Sequence, residues 1–209
     1  MRGRCSRFFR ARSRSCEGLG RLVGGTKDDV LDSYLGVSTQ MTGGPGNDTF
    51  IGDTVSGGAR RAKVVEAGGN FTLTDTSLVG QGTDTLTGVF QYAMLFGNGG
   101  NNTLDASAVT AMQVILNGNA GNDVLIGGSK NDVLSGGTGK NQLDGGAGSD
   151  TVEEFGDASF VLTNAKLTGI GNTTLISIEA ATIYGGDKAN KVDATTFTGK
   201  ANLFGAGGK

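Results

Sequence analysis

A chain of 209 residues with 39 glycines, one proline and no histidine or tryptophan excludes several classes of protein. Glycine without a three-residue period is not collagen, and the missing histidine removes the commonest general base, zinc ligand and triad member. The net charge of −2 hides an asymmetry: residues 1–21 hold seven of the 18 basic residues and one acidic residue, leaving 11 basic and 19 acidic residues over 22–209, a balance that suits cation binding and argues against nucleic acid.

In chain order, the Arg-rich head over 1–21 carries both cysteines, Cys5 and Cys16. It has no apolar core and so is a poor secretory signal; it reads as a disordered tail or a misassigned start. The remainder, 22–209, reads as one repetitive domain. GGTKDDVLD (24–32) and GGPGNDTFI (43–51) share a glycine turn, an acidic sixth position (Asp29, Asp48) and an aliphatic or aromatic eighth. GGARRAKVV (57–65) is a decayed copy in which Arg60 and Arg61 read as solvated charges. VGQGTDTLT (79–87) keeps Asp84, and GNGGNNTLD (97–105) has Asn102 instead.

Four copies then follow head to tail: GNAGNDVLI (118–126), GGSKNDVLS (127–135), GGTGKNQLD (136–144) and GGAGSDTVE (145–153). The sixth position reads Asp123, Asp132, Asn141 and Asp150, and the eighth reads Leu125, Leu134, Leu143 and Val152. Turn glycines stand at Gly118 and Gly121, at Gly127 and Gly128, at Gly136, Gly137 and Gly139, and at Gly145, Gly146 and Gly148. Lys130 replaces the fourth glycine of its unit, where a positive φ predicts a steric cost. Glu153 and Glu154, adjacent on a strand and so on opposite faces, read as an acidic rim.

Weaker copies return at 168–176 and 185–193, the latter with Asn190. A longer repeat lies over the short one. Phe71, Leu73, Leu78, Gly80, Gly82 and Leu86 match Phe160, Leu162, Leu167, Gly169, Gly171 and Leu175 at an offset of 89, and Asp105–Ala106 matches Asp193–Ala194 at 88. The end, Gly205 to Lys209, reads as the first half of another unit, so the solenoid is expected to run on and the chain to be a truncated fragment.

The tandem run resembles the RTX (hemolysin-type) calcium-binding repeat, Gly-Gly-x-Gly-x-Asp-x-aliphatic-x. The resemblance is specific over 118–153 and looser over 22–117 and 154–209. It implies an all-β fold, a right-handed parallel β-roll or β-solenoid, with Ca²⁺ in the turns. On this reading 71–117 and 160–204 continue the same solenoid with longer coils.

Calcium takes six to eight oxygens, more than one short loop supplies, so each ion is shared by turns 18 residues apart on one edge. The expected pairs are Asp132 with Asp150, Asp123 with Asn141, and Asp84 with Asn102. Asp29 and Asp48 are further candidates in isolated units, and the turn glycines named above supply carbonyl oxygens. A bland alternative is an Asp that only caps backbone amides.

Each nonapeptide buries about one large aliphatic side chain, so folding is expected to depend on the cation. The expected function is non-enzymatic: calcium-coupled folding of a secreted spacer module, part of a larger bacterial adhesin or surface protein. Its partners are calcium ions and, through the parent chain, a cell-surface glycan or protein. No stretch reaches the length of a membrane span.

Two other classes stay open. One is a glycan- or ice-binding surface built on the Thr/Asn-rich segments 72–77 and 101–108. The other is part of a carbohydrate-active β-helix enzyme, although neither HExxH nor GxSxG is present.

Overall fold

The computed structural model describes residues 5–8, 13–16, 21–32, 40–52 and 62–205. Among them there is strand and turn but no helix, hence no helix long and apolar enough to cross a membrane. The strands alternate between two sheets. Arg21–Val23, Gln40–Thr42, Ala62–Ala67, Phe90–Phe96, Gln113–Asn117, Val133–Ser135, Thr151–Gly156, Ala180–Gly185 and Lys200–Phe204 form a nine-stranded sheet, parallel throughout. Val30–Asp32, Thr49–Ile51, Thr103–Ala108, Val124–Ile126, Gly139–Asp144 and Val192–Thr196 belong to the larger sheet. Each nonapeptide therefore supplies one three-to-six-residue strand, and each coil contributes one strand to each sheet.

The short strands carry one inward side chain each. Leu104, Leu125, Leu143 and Leu175 stand in register on the larger sheet. Leu95, Leu116, Leu134, Val152 and Ala181 do so on the smaller one. All are buried and form one continuous core. Period-two alternation explains the buried and exposed sets, since successive strand residues face opposite sides.

The two longer units depart from a plain roll. Phe71–Thr74, Ser77–Val79 and Thr83–Thr87 form an antiparallel meander inside the larger sheet. Phe160–Thr163, Lys166–Thr168 and Gly171–Ile176 form a second. Segments 71–87 and 160–176 are therefore not longer parallel coils; the expected spacing was right and the strand direction was not.

The reason is local. Thr74 Oγ1 accepts the amides of Thr76 and Ser77, and Thr163 Oγ1 accepts the amide of Ala165, closing tight turns in the way hydroxyl side chains do. Gly80 and Gly169 then lie against the rings of Phe71 and Phe160, where a Cβ would come within 2.2 Å of a ring carbon. The aligned residues of the 89-residue repeat thus occupy equivalent places.

Part of the Arg-rich head, expected to lack structure, is strand: Cys5–Phe8 and Ser13–Cys16 pair antiparallel, and the second joins Val30–Asp32. Arg60 and Arg61 lie outside the described residues, as do residues 206–209. On the outside of the smaller sheet, Phe155, Tyr184 and Phe204 stack ring on ring, with centroids 4.5 and 4.9 Å apart.

In saturating calcium, Gly169→Ala is expected to lower stability by about 1–3 kcal/mol through overpacking against Phe160. Val161→Ala, at a half-exposed position of the same meander, should stay within about 0.5 kcal/mol. Urea midpoints of the two variants check this.

Candidate metal centres in the stacked turns

The turns joining the two sheets pile up on the two edges of the roll. Turns 24–29, 43–48, 97–102, 118–123, 136–141 and 185–190 lie on one edge, and turns 127–132 and 145–150 on the other. Their sixth residues point inward. Asp29, Asp48, Asn102, Asp123, Asp132, Asn141 and Asp150 are all buried, and so is Asp84 at the start of the last meander strand. A carboxylate is rarely buried without a partner, so the destination of each oxygen matters.

In Asp48, Asp123, Asp150, Asn141 and Asp84 one side-chain oxygen holds the neighbouring turn. Asp48 Oδ1 accepts the amide of Asp29 at 2.8 Å, Asp123 Oδ1 that of Asn102 at 2.8 Å, and Asp150 Oδ1 that of Asp132 at 2.7 Å. Asn141 Oδ1 accepts the amide of Asp123, and Asp84 Oδ1 that of Asp48. Two expected pairs, Asp132 with Asp150 and Asp123 with Asn141, therefore stack. The third does not: the first meander separates Asp84 from Asn102, placing Asp84 against Asp48 and Asn102 against Asp123. Asp29 and Asp48, expected in isolated units, stack on each other.

The second oxygens divide the set. Asp48, Asp123 and Asp150 each have an Oδ2 that is buried and has no hydrogen-bond partner. Each lies over the first glycine of its own turn. A Cβ on Gly43, Gly118 or Gly145 would come within 2.2, 2.4 or 2.6 Å of that oxygen. Backbone carbonyls crowd the same stack. The Gly43, Gly118 and Gly145 oxygens approach Gly24, Gly97 and Gly127 of the adjoining turns closely enough that no side chain fits there.

The donor set is carboxylate and carbonyl oxygen throughout, the preference of a hard cation such as calcium. Among the described residues no three acidic, histidine or cysteine side chains converge on one point, so an ion here draws on backbone oxygens as well. The residues present fit calcium.

Two further carboxylates escaped the sequence reading. Glu66 and Glu154 are buried, not rim residues. Glu154 Oε1 accepts the amides of Gly136 and Gly137 at 2.7 and 2.9 Å, and Glu66 Oε1 accepts those of Gly43 and Gly44. Each sits on the strand just before a meander, where no full six-residue nonapeptide turn follows, and its side chain caps the first two amides of a neighbouring glycine turn. Their spacing of 88 residues is one short of the offset of 89 over the adjoining meanders, so the two glutamates align only across a one-residue gap.

A family model for the RTX calcium-binding nonapeptide repeat matches four copies, over residues 40–58, 94–108 and 117–152. Among curated proteins there is no significant match. Fold and turns define a calcium-type β-roll, and over these segments the chain carries repeats of the RTX type, which bind Ca²⁺.

Burial raises the proton affinity of the turn carboxylates. Asp84 and Asp150 are pushed up from 3.8 to about 6, and Glu66 from 4.5 to about 7. Desolvation is the largest cause in each, offset in part by the amides they accept. The metal-free folded state therefore binds more protons than the unfolded chain between about pH 4 and 7, so its stability is lost as pH rises through that window. In excess chelator, the β-signal in far-UV circular dichroism is expected to grow as pH is lowered from 7.5 to 4.5. A signal that shrinks over that range would contradict these burials.

Proposed function

We propose that the stacked turns of this chain bind calcium and that binding folds residues 22–209 into a stiff β-solenoid. The observation that carries this reading is the set of three buried, unpartnered carboxylate oxygens on Asp48, Asp123 and Asp150. An isolated anionic oxygen taken from water destabilises the fold by several kcal/mol, and three in one roll set a strong preference for a cation-loaded state. Carbonyl oxygens of the turn glycines, among them Gly118, Gly121, Gly127, Gly128, Gly136, Gly137, Gly139, Gly145, Gly146 and Gly148, complete the shells. Asn141 gives an uncharged oxygen. Asp29, Asp84 and Asp132 line the same stacks.

Calcium that meets the folded state alone shifts the equilibrium by mass action. A chain that is unfolded at cytosolic calcium and ordered outside suits export followed by stiffening. This supports a secreted structural role, as a spacer within a larger bacterial adhesin or surface protein. The acidic body over 22–209 suits no nucleic-acid partner, and the chain carries none of the catalytic motifs weighed above. The Arg-rich segment 1–21 stands apart in composition as a separate head.

Titration of calcium into the chelator-treated chain, followed by far-UV circular dichroism, tests the reading. The expected result is a coil-to-β transition at about 0.1–1 mM, the range of extracellular calcium modules, with no response to magnesium. Full β-structure in excess chelator at neutral pH would overturn it.

A further inference from the structure

Eight glycine turns are described, and they take two forms. In turns 24–29, 97–102, 127–132 and 185–190 the amide of the second residue donates to the side chain of that turn's own sixth residue. The contacts are Gly25 to Asp29 Oδ2 at 2.6 Å, Asn98 to Asn102 Oδ1 at 2.8 Å, Gly128 to Asp132 Oδ2 at 2.7 Å and Gly186 to Asn190 Oδ1 at 2.9 Å. These turns are closed on themselves.

In turns 43–48, 118–123, 136–141 and 145–150 the same amide points to an acceptor outside the six residues: Glu66, Asn117, Glu154 and Asp144 in turn. These turns are open. Among the described residues, each buried carboxylate oxygen without a partner belongs to an open turn. The fourth open turn carries Asn141, whose Nδ2 donates to Gly137 O.

The fourth residue separates the forms. Open turns have glycine there, at φ between +108° and +137°: Gly46, Gly121, Gly139 and Gly148. An L side chain rarely adopts that conformation. A Cβ would also strike the carbonyl group of the turn beneath, at 2.7 Å for Gly46, 2.3 Å for Gly121, 1.8 Å for Gly139 and 2.4 Å for Gly148. Three of the four closed turns have lysine there, Lys27, Lys130 and Lys188, none at positive φ. Lys130 is therefore not strained, contrary to the sequence expectation; its turn has taken the other form. The fourth closed turn, 97–102, has Gly100 and an uncharged Asn102, so glycine permits the open form without compelling it.

We propose that lysine at the fourth residue bars a nonapeptide from taking calcium through its own carboxylate and that glycine there permits it. Glycine lets the turn open and leaves Asp48, Asp123 and Asp150 with a free oxygen. Lysine holds the turn closed and occupies the carboxylate internally. Asp132 shows the consequence: its Oδ2 accepts Gly128 N and its Oδ1 accepts Val114 N at 2.8 Å, so both oxygens are engaged by amides, unlike the bare Oδ2 of Asp150.

The same order recurs in three stacks. A closed turn lies beneath an open one at 24–29 with 43–48, at 97–102 with 118–123, and at 127–132 with 145–150. In each, the closed member donates its sixth amide to the open member's carboxylate and presents carbonyl oxygens to it. Closed turns are the floors of calcium stations and open turns supply the charge.

This inference rests on the calcium reading above, and its test separates the two. Bound calcium is counted by atomic absorption after equilibrium dialysis of the full chain, with circular dichroism in excess calcium confirming the fold of each variant. Asparagine replacements are chosen because Asn102, Asn141 and Asn190 already occupy the sixth position in this chain. Asp150→Asn and Gly148→Lys are each expected to lose one ion, and Asp132→Asn to lose none. A loss of one ion in Asp132→Asn, or an unchanged count in Asp150→Asn or in Gly148→Lys, overturns the assignment by turn form. A wild-type chain that binds no calcium instead overturns the calcium reading itself.

Discussion

The structure depends on one contact repeated along its edges: a buried carboxylate or amide oxygen that accepts the main-chain amide of the turn next to it. Asp48, Asp123 and Asp150 each make it. The contact fixes the rise between coils and orients the sixth side chain inward. It also decides what happens to the second oxygen. With Oδ1 committed to the neighbour, Oδ2 either returns to its own turn or is left bare in the interior. A bare buried oxygen is costly in a metal-free fold, and this cost is the ground for the proposed coupling of folding to a cation.

The meanders interrupt this pattern, and the structure manages each interruption in the same way. Where 71–87 and 160–176 replace a glycine turn, the amides of Gly43, Gly44, Gly136 and Gly137 lose their successor, and buried backbone donors without acceptors are disfavoured. Glu66 and Glu154 reach back to take them. In the first copy Asp84 continues the carboxylate column beyond Asp48. In the second, Thr173 stands in register beside Asn141 and brings no charge. The two copies of the long repeat therefore share a framework and differ in how much negative charge their ends bury.

Most of the framework was legible because it is written in spacing. A nonapeptide with glycines at fixed places and one aliphatic residue near its end permits little but a turn and a short strand, and all four eighth-position residues of the tandem run are in the core. Strand direction in the long units was not legible. Phe71, Leu73 and Leu78 alternate equally well in a parallel coil or a meander, and only the hydroxyl-capped turns at Thr74 and Thr163 distinguish them. Counting 18 residues found the turns that stack where nonapeptides are contiguous and failed at Asp84, where two extra strands intervene. Glu154 was misplaced because strand alternation says which side a residue faces, not whether that side is the core.

The two edges do not order independently. Asp123 and Asn141 lie on one edge and Asp132 and Asp150 on the other, yet the strands between them are three to six residues long and share one core. Leu125 is anchored by a turn on each side, as are Leu134 and Leu143. A strand that short makes few ladder hydrogen bonds, so the turns that bracket it carry much of its alignment. Fixing the turn at 145–150 sets the register of Val133–Ser135 against Thr151–Gly156, which in turn places Leu134 against Val152 and closes the layer on which Leu143 packs. Order at one edge thus lowers the entropy still to be lost at the other. The turns of the tandem run from 118 to 153 therefore support one another across a shared core, with the bare oxygens of Asp123 and Asp150 at opposite edges of two facing rows of aliphatic side chains.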